Sequence, residues 1–405
     1  MQQLDAIILG GGLVGGTLAV ALDAHGLAAA IVDPIDPATT LSASFDGRAS
    51  AIASASQRML DVIGIGARLE GQGCRIAGIR VSDGLEPGAV DFTPDPDDGP
   101  LGIMYENRLV RAAIQGALAD AKALDLRYNR RAASVVRDAH GVTVTLDDGA
   151  VLRAPVLLAA DGRQSPMREQ AKIGVARWQY DHAAIITAFA HVEPHDRIAY
   201  EIFYPSGPFA ILPLPDTDKG YRSALVWTVA RADLPGMLKL SDRGFLAEAE
   251  KRMGGFLGAL SDLSPRSSYP LGFHRASTLV AERLALVGDA GHGIHPIAGQ
   301  GLNLGLRDVA ALVQVLVEGK RLGLDLGDPQ LLARYDRWRG LDTFLVSAAT
   351  DGLARLFGIP GAVPSAVRRF GLSAVQRIAP LKARFMAEAR GESGELPALL
   401  RGVAA

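Results

Sequence analysis

An apolar run from Leu4 to Leu9 leads straight into Gly10-Gly11-Gly12-Leu13-Val14-Gly15 and then into a helical segment from Gly16 to His25. This is G-x-G-x-x-G in the setting it requires, after a strand and at the start of a helix. The glycines permit a tight turn and the close approach of a pyrophosphate, which then sits on the helix N-terminus. A second apolar strand, Ala29 to Val32, ends at Asp33, eighteen positions after Gly15. A dinucleotide fold places an acid on a ribose hydroxyl at that point. A glycine fingerprint alone is a weak signal and often marks only a glycine-rich turn. With strand, helix and acid all in place, the sequence predicts an α/β chain that opens on a Rossmann-like dinucleotide-binding unit.

Two further strand ends carry the same kind of signal. The strand Leu284 to Val287 runs into Gly288-Asp289, and a glycine-rich loop then leads to an apolar helix from Leu302 to Leu316. That helix start would aim free backbone N–H groups and partial positive charge at an electron-rich partner. Gly299, Gly301 and Gly305 would let the partner approach closely. Asp289, a lone carboxylate at a strand end, suits a sugar-like hydroxyl better than a phosphate. In the middle of the chain, Ala154 to Ala160 ends at Asp161-Gly162. An isolated Asp-Gly is usually just a turn. Three strand ends that each deliver Gly or Asp to a loop fit a ligand lying beyond the carboxyl ends of a parallel sheet.

Composition narrows the class. A chain of 405 residues is long for one core, so about two lobes are expected. With 42 basic against 44 acidic residues there is no electrostatic case for nucleic acid. The local cluster Arg127, Arg130, Arg131 and Arg137 reads as a solvated face. The single cysteine, Cys74, excludes an internal disulfide and a cysteine metal cluster. His292 and His295 sit in one loop with no third ligand nearby, so a metal is not expected there. No segment approaches the roughly 18 apolar residues needed to span a bilayer. A strand beginning near Leu4 leaves no room for a signal or transit peptide, and the expected location is the cytoplasm.

The combination of GGGLVG near the start, AADGRQS in the middle and GDAGHGIHPIAGQGLNLGLRD late in the chain resembles the single-component FAD-dependent aromatic hydroxylases, with their para-hydroxybenzoate hydroxylase-like fold. Within them, the run His295 to Asp308 is similar to the signature of the ubiquinone-biosynthesis branch. Asp46-Gly47-Arg48, Glu106-Asn107-Arg108 and Phe203 to Leu214 support the likeness, which extends over nearly the whole chain. Gly291 departs from the alanine more usual there and exchanges one small residue for another.

The resemblance implies an extended FAD with its ADP half on Gly10, Gly12, Leu13, Val14, Gly15 and Asp33. Asp161, Gly288 and Asp289 would meet the ribityl and pyrophosphate region. The ring would lie over Pro296, Gly299, Gln300, Gly301, Leu302 and Asn303. Arg48 and Arg108, each just before an expected helix, would reach flavin or reductant phosphate, weighed against surface ion pairs. The implied chemistry is the cofactor's, through a flavin hydroperoxide that hydroxylates an electron-rich ring. No side-chain nucleophile is needed, and no catalytic side chain is assigned. The implied partners are O2 and a prenylated aromatic precursor of ubiquinone, with other ubiquinone-biosynthesis proteins and peripheral contact with the inner membrane. No second glycine fingerprint is present, so the reductant, NAD(P)H or a ferredoxin-type donor, would visit the flavin without a domain of its own.

Three other readings stay open: an FAD monooxygenase of another aromatic substrate, a non-hydroxylating FAD oxidoreductase, and a non-catalytic assembly subunit. The intact glycines argue against the last.

Along the chain, the pattern predicts a discontinuous FAD-binding domain (1–75, 100–174 and 273–340), a β-sheet substrate domain (76–99 and 175–272) and a helical region over 341–405. A helix is expected over Ala49 to Ile63, and a hairpin over Ala133 to Leu152 with Asp147-Asp148-Gly149 as its turn. Tyr200, Tyr204 and Phe209 either face an aromatic substrate or pack the sheet.

Overall fold

Strand Ala6–Leu9 is buried along its whole length, which is why its sequence is an unbroken apolar run rather than an alternating one. It pairs in parallel with Ala29–Asp33 on one side and with Val156–Ala159 on the other. Leu124–Tyr128 and Leu284–Leu286 extend the sheet in parallel at either end, and Val280–Ala281 closes one edge antiparallel. The computed structural model describes residues 4–41, 45, 47–95, 98–293, 300–340, 371 and 374–405.

Three helices cover this six-stranded sheet: Leu13–Ala24, Asn107–Asp120 and Gln300–Arg321. Their apolar stripes, Leu18 and Leu22, Val110 and Ile114, and Val309, Leu312 and Leu316, enter one core with the strands. The first helix crosses the second closely, because a Cβ on Gly16 would lie 2.6 Å from Ile114 Cγ2.

A nine-stranded sheet forms the second layer of structure. Its longest strand, Val175–His191, pairs antiparallel with Gly220–Ala230 on one side and Ser267–Ala276 on the other. Gly207–Thr217, Ile198–Tyr204, Gly78–Asp83 and Val90–Phe92 follow in that order towards the far edge. One face packs Phe189, Phe209 and Trp227 against Phe245, Ala249 and Met253 of helix Asp242–Met253. The other face packs Ala188, Ala199, Leu214 and Ala224 against Cys74, Ile76 and Met104. Those last residues belong to a small sheet of Ala49–Ala53, Gly102–Glu106 and Cys74–Ile76.

The architecture is the α/β arrangement expected, with some local differences. Ala49–Ala53 is a strand and the helix is only Ser54–Val62. The alanine-rich run has helical propensity, but antiparallel pairing with Gly102–Glu106 overrides it. The segment read as one hairpin is a three-stranded meander of Ala132–Asp138, Gly141–Leu146 and Val151–Ala154. Asp147 to Gly149 makes its second turn. Residues 374–377 and Ala379–Ala389 are helical, with Pro380 in the first turn of the latter, where its missing N–H has no intrahelical acceptor to lose. Pro360, Pro364 and the rest of 341–370 lie outside the described residues. Among those described, no helix is long and apolar enough to cross a membrane.

Candidate functional site

The carboxyl ends of four parallel strands line one edge of the six-stranded sheet, and backbone bonds stitch them together. Gly10 N–H donates to Val32 O at 2.8 Å, Ala160 N–H to Leu9 O at 2.8 Å, and Val287 N–H to Ala159 O at 2.9 Å. Gly10, Asp33, Asp161 and Asp289 are therefore presented to one crevice.

Not all the glycines of the fingerprint do the same thing. Gly10 has φ +100° and a Cβ on it would lie 2.3 Å from Ala160 O. A Cβ on Gly15 would lie 1.9 Å from Gly10 O. Both are glycine because the protein itself leaves no room. Gly12 differs: among the described residues no atom lies within 4 Å of its would-be Cβ, which leaves the space above it open. Gly12 is also the N-cap of helix Leu13–Ala24 and provides no side-chain cap. The first intrahelical bond runs from Gly16 N–H to Gly12 O, leaving the N–H groups of Leu13, Val14 and Gly15 without intrahelical acceptors. Asp33 supports this turn from the neighbouring strand, accepting from Gly11 N–H through Oδ2 and from Ile35 N–H through Oδ1.

The late loop is locked onto the first helix. Gly288 has φ +61°, and a Cβ on it would lie 3.2 Å from Val14 Cγ1. A Cβ on Gly305 would lie 2.7 Å from Val14 Cγ2. Val14 thus fills the junction where helices Leu13–Ala24 and Gln300–Arg321 begin, and the two N-termini converge. Beside them, Asp289 is exposed, and its carboxylate makes no hydrogen bond among the described residues. Asp161 accepts from Met167 N–H at 3.2 Å through Oδ2, while its Oδ1 is buried without a partner among the described residues. Burial pushes the Asp161 carboxyl up, against the hydrogen bonds that favour its charge.

Asp308, which sequence reasoning passed over as the end of a signature run, anchors this arrangement. It is fully buried. Its Oδ2 accepts from Gly288 N–H at 2.9 Å and from His292 Nε2 at 2.6 Å, and its Oδ1 accepts from Arg339 Nε at 2.7 Å. Burial works against the charge, but His292 and Arg339 outweigh it and hold the carboxyl below its ordinary range. His292 is a partner of Asp308, and His295 lies outside the described residues. Cys74 is buried, and burial pushes its thiol up to about 11.

The remaining candidates divide by environment. The Asn303 side chain is committed to protein: Oδ1 accepts from Ala53 N–H at 2.9 Å and Nδ2 donates to Ala51 O at 2.8 Å. Any ligand contact from Asn303 falls to its backbone N–H, in the first turn of helix Gln300–Arg321. Leu302 packs against the main core, and the would-be Cβ of Gly301 meets nothing within 4 Å among the described residues. Pro296, Gly299 and the Gln300 side chain lie outside the described residues. Arg48 is exposed, and its carbonyl accepts from Asn107 N–H at 3.0 Å. Arg108 is ion-paired through Nε to Glu106, a buried carboxylate that also binds Arg222. Tyr200, Tyr204 and Phe209 lie on the face against helix Asp242–Met253 and pack the sheet; Phe209 meets Trp227 edge-on at 5.1 Å.

The FAD binding domain family matches residues 3–341. A ubiquinone hydroxylase, UbiL, of Rhodospirillum rubrum is 47% identical over 98% of this chain and 93% of its own length. The 3-demethoxyubiquinol 3-hydroxylase of Escherichia coli is 33% identical over 96% of this chain and 99% of its own. Among solved structures, p-nitrophenol 4-monooxygenase PnpA of Pseudomonas putida superposes with a TM-score of 0.78 at 17% identity, covering 98% of this chain and all of that one. The strand-end crevice, its two convergent helix N-termini and these full-length likenesses lead to one assignment: the chain belongs to the FAD-binding domain family of flavoprotein monooxygenases.

Proposed function

We propose that the protein is an FAD-dependent monooxygenase that hydroxylates the aromatic ring of a prenylated precursor of ubiquinone. The observation that carries the reading is the near full-length, 47% identical likeness to a ubiquinone hydroxylase, joined to a crevice whose residues fit FAD. The fit rests on three features. Open space stands over Gly12 at a helix N-terminus, as a pyrophosphate needs. The exposed Asp289 carboxylate, with no hydrogen bond among the described residues, is suited to ribityl hydroxyls. The buried Oδ1 of half-buried Asp161 is an acceptor left without a partner among the described residues.

When bound and reduced, FAD supplies from O2 an electrophilic oxygen atom to an electron-rich ring. The chain's own residues bind, orient and exclude water. The amides of Leu13, Val14 and Gly15 would hold pyrophosphate, and Asp33, beside Gly11, would accept from the adenosine ribose. The N-terminus of helix Gln300–Arg321 would stabilise negative charge on the cofactor's ring system, with Gly301 allowing close approach and Asn303 offering its N–H. Arg48, exposed beside strand Ala49–Ala53, is the arginine proposed to meet cofactor or reductant phosphate. Arg108 is proposed to assist from its pair with Glu106.

Residues 1–75, 100–174 and 273–340 would form the FAD-binding domain, 76–99 and 175–272 the substrate domain, and 341–405 a C-terminal region. A prenylated substrate resides in the membrane, so peripheral contact with the inner membrane and with other ubiquinone-biosynthesis proteins belongs to this reading. NAD(P)H or a ferredoxin-type protein would supply the electrons.

The test is direct. Purified protein should release FAD on denaturation and, once reduced, consume one O2 per hydroxylated ring. A strain lacking the gene should lose ubiquinone and accumulate a precursor short of one hydroxyl. Normal ubiquinone with no precursor, in a strain without a second hydroxylase, refutes the substrate assignment. Reductant oxidation independent of O2 and of any phenol refutes the reaction class.

A further inference from the structure

Glu201 stands in the middle of strand Ile198–Tyr204, on the face of the nine-stranded sheet opposite Tyr200 and Tyr204. Cross-strand register puts it in a row that reads Val90, Val81, Glu201, Ala210, Val226, Ile186 and Ser267. Every member between Val90 and Ile186 is aliphatic except Glu201. Only 8% of the residue is exposed, and no donor or counter-ion reaches its carboxyl among the described residues. A buried carboxyl without a partner is costly. A chain retains one where something else is to meet it, or where function needs an unsatisfied acid.

The face is the one turned towards the cofactor loops. The row on one side of Glu201 runs through Ala199, Ala224 and Ala188, which pack with Ala49 and Ala51, and Asn303 is bonded to that same strand. Farther along the strands on the other side, Phe273 touches Leu304 of helix Gln300–Arg321. Along the strand direction, the row of Glu201 therefore lies between the row that packs on the strand Asn303 bonds and the end at which Phe273, four strands across the sheet, meets Leu304. Thr228, on the same face in the next row, has a buried hydroxyl without a partner. The wall is aliphatic with two unmet polar groups, as an apolar ring bearing oxygen substituents would require.

We propose that Glu201 is the catalytic base for the substrate's phenol, accepting the proton of its hydroxyl as the ring is hydroxylated. This rests on the monooxygenase reading above. The phenol O–H bond breaks and its proton passes to a Glu201 carboxylate oxygen. The ring, made electron-rich, supplies the electron pair of the new C–O bond to one oxygen atom of O2, the O–O bond breaks, and the second oxygen atom leaves as water with the two electrons that the reduced cofactor supplies. The ring carbon then loses its hydrogen as a proton to solvent, and Glu201 returns its proton to the phenolate oxygen.

Burial pushes the Glu201 carboxyl from 4.5 up to about 8, within about two units of a phenol near 10. A carboxylate left at 4.5 would fall more than five units short. The next titratable group on that face is Asp83, diagonal to Glu201 on strand Gly78–Asp83. The rows beside Glu201 hold no other charged side chain among the described residues.

The test uses the FAD-loaded protein, 2-prenylphenol and its methyl ether, which has no proton to give. Binding to the oxidised holoenzyme is read from the flavin spectrum, and single-turnover hydroxylation follows dithionite reduction and mixing with O2. Wild type should bind the phenol about tenfold more tightly than the ether at pH 9, and hydroxylation should rise with pH through about 8. Glu201→Gln should keep its FAD, bind both compounds alike, lose that pH limb and hydroxylate about a hundredfold or more slowly. Glu201→Leu, which keeps the site apolar, should do the same and covers misfolding of the glutamine variant. Equal binding of phenol and ether by wild type overturns the proposal. So does a glutamine variant with wild-type discrimination and pH limb. If wild type shows the Glu201-dependent discrimination but forms no hydroxylated product, the phenol site stands and the monooxygenase reading falls.

Discussion

Replacing Glu201 with glutamine should make the protein more stable, by an amount that grows with pH. The sign follows from linkage. Folded Glu201 titrates near 8 because of burial, while its reference value is 4.5. Below pH 4.5 the group is protonated in both states and has no effect on stability. As pH rises through the gap, the unfolded chain ionises while the folded one stays protonated, so the folded state loses about 1.4 kcal/mol per pH unit. At pH 7 the accumulated cost is about 3 kcal/mol, and above about pH 8.5 it levels near 5 kcal/mol. Glutamine does not titrate and fills nearly the same volume. Urea unfolding of wild type and Glu201→Gln at pH 5, 6, 7 and 8 should give midpoints that nearly coincide at the lowest pH and separate steadily. A difference that is flat with pH, or a less stable variant at pH 8, would show that the carboxyl is paired or hydrated, and the base assignment would lose its physical ground.

Gly12→Val should leave the unfolding midpoint of the cofactor-free protein unchanged and abolish flavin retention, since no described residue fills that space and the proposed pyrophosphate would; retained FAD refutes it. Gly15→Ala should fail differently, destabilising the cofactor-free protein itself because its Cβ meets Gly10 O at 1.9 Å. Asp289→Ala should stay folded and lose FAD on dialysis, with affinity down roughly ten- to a hundredfold for one charge-assisted bond. Asp308→Ala should cost about 3 to 5 kcal/mol, the range for breaking a buried ion pair and here leaving Arg339 without its counter-charge; a midpoint within 1 kcal/mol of wild type, again on the scale of such pairs, refutes that role.

The strand-end crevice was legible because its signals are local. Gly10 to Gly15, Asp33, Asp161 and Gly288-Asp289 each follow an apolar run within a few residues, and parallel strands bring such ends together whatever the intervening chain does. Strand Ala49–Ala53 was not legible, since its partner lies some fifty positions away and three alanines and a serine around Ile52 carry little strand signal. For Tyr200, Tyr204 and Phe209, a period of two shows which residues share a face but not which face a helix covers; packing against Asp242–Met253 shows that. Asp308 looked like an ordinary polar helix residue, and its burial depends on Arg339, thirty-one positions on. Glu201 did leave a trace: in Ile198-Ala199-Tyr200-Glu201-Ile202-Phe203-Tyr204 both alternating sets are apolar, so a strand buried on both faces must bury its one carboxylate too.

The late signature run divides its work between frame and ligand, and the division explains why its residues are not interchangeable. Ala49–Ala53 is an edge strand of its small sheet, and the Asn303 amide meets its open side as another peptide would, donating to Ala51 and accepting from Ala53. Asp308 ties Gly288 to the body of helix Gln300–Arg321, and Val14 fills the notch left by Gly288 and Gly305. These contacts use up the side chains that hold the helix start in place. What faces outward is then mostly backbone: N–H groups, open space over glycine, and the one carboxylate of Asp289. A helix N-terminus stabilises charge in proportion to how little it must reorganise, so under the proposed function the frame would serve catalysis by holding that N-terminus still. Frame substitutions at Asn303 or Asp308 should therefore lower stability and flavin affinity together, whereas Gly12 and Asp289 substitutions should lower flavin affinity alone. A variant of Asn303 that loses flavin at full stability would place its side chain on the cofactor after all and dissolve the distinction.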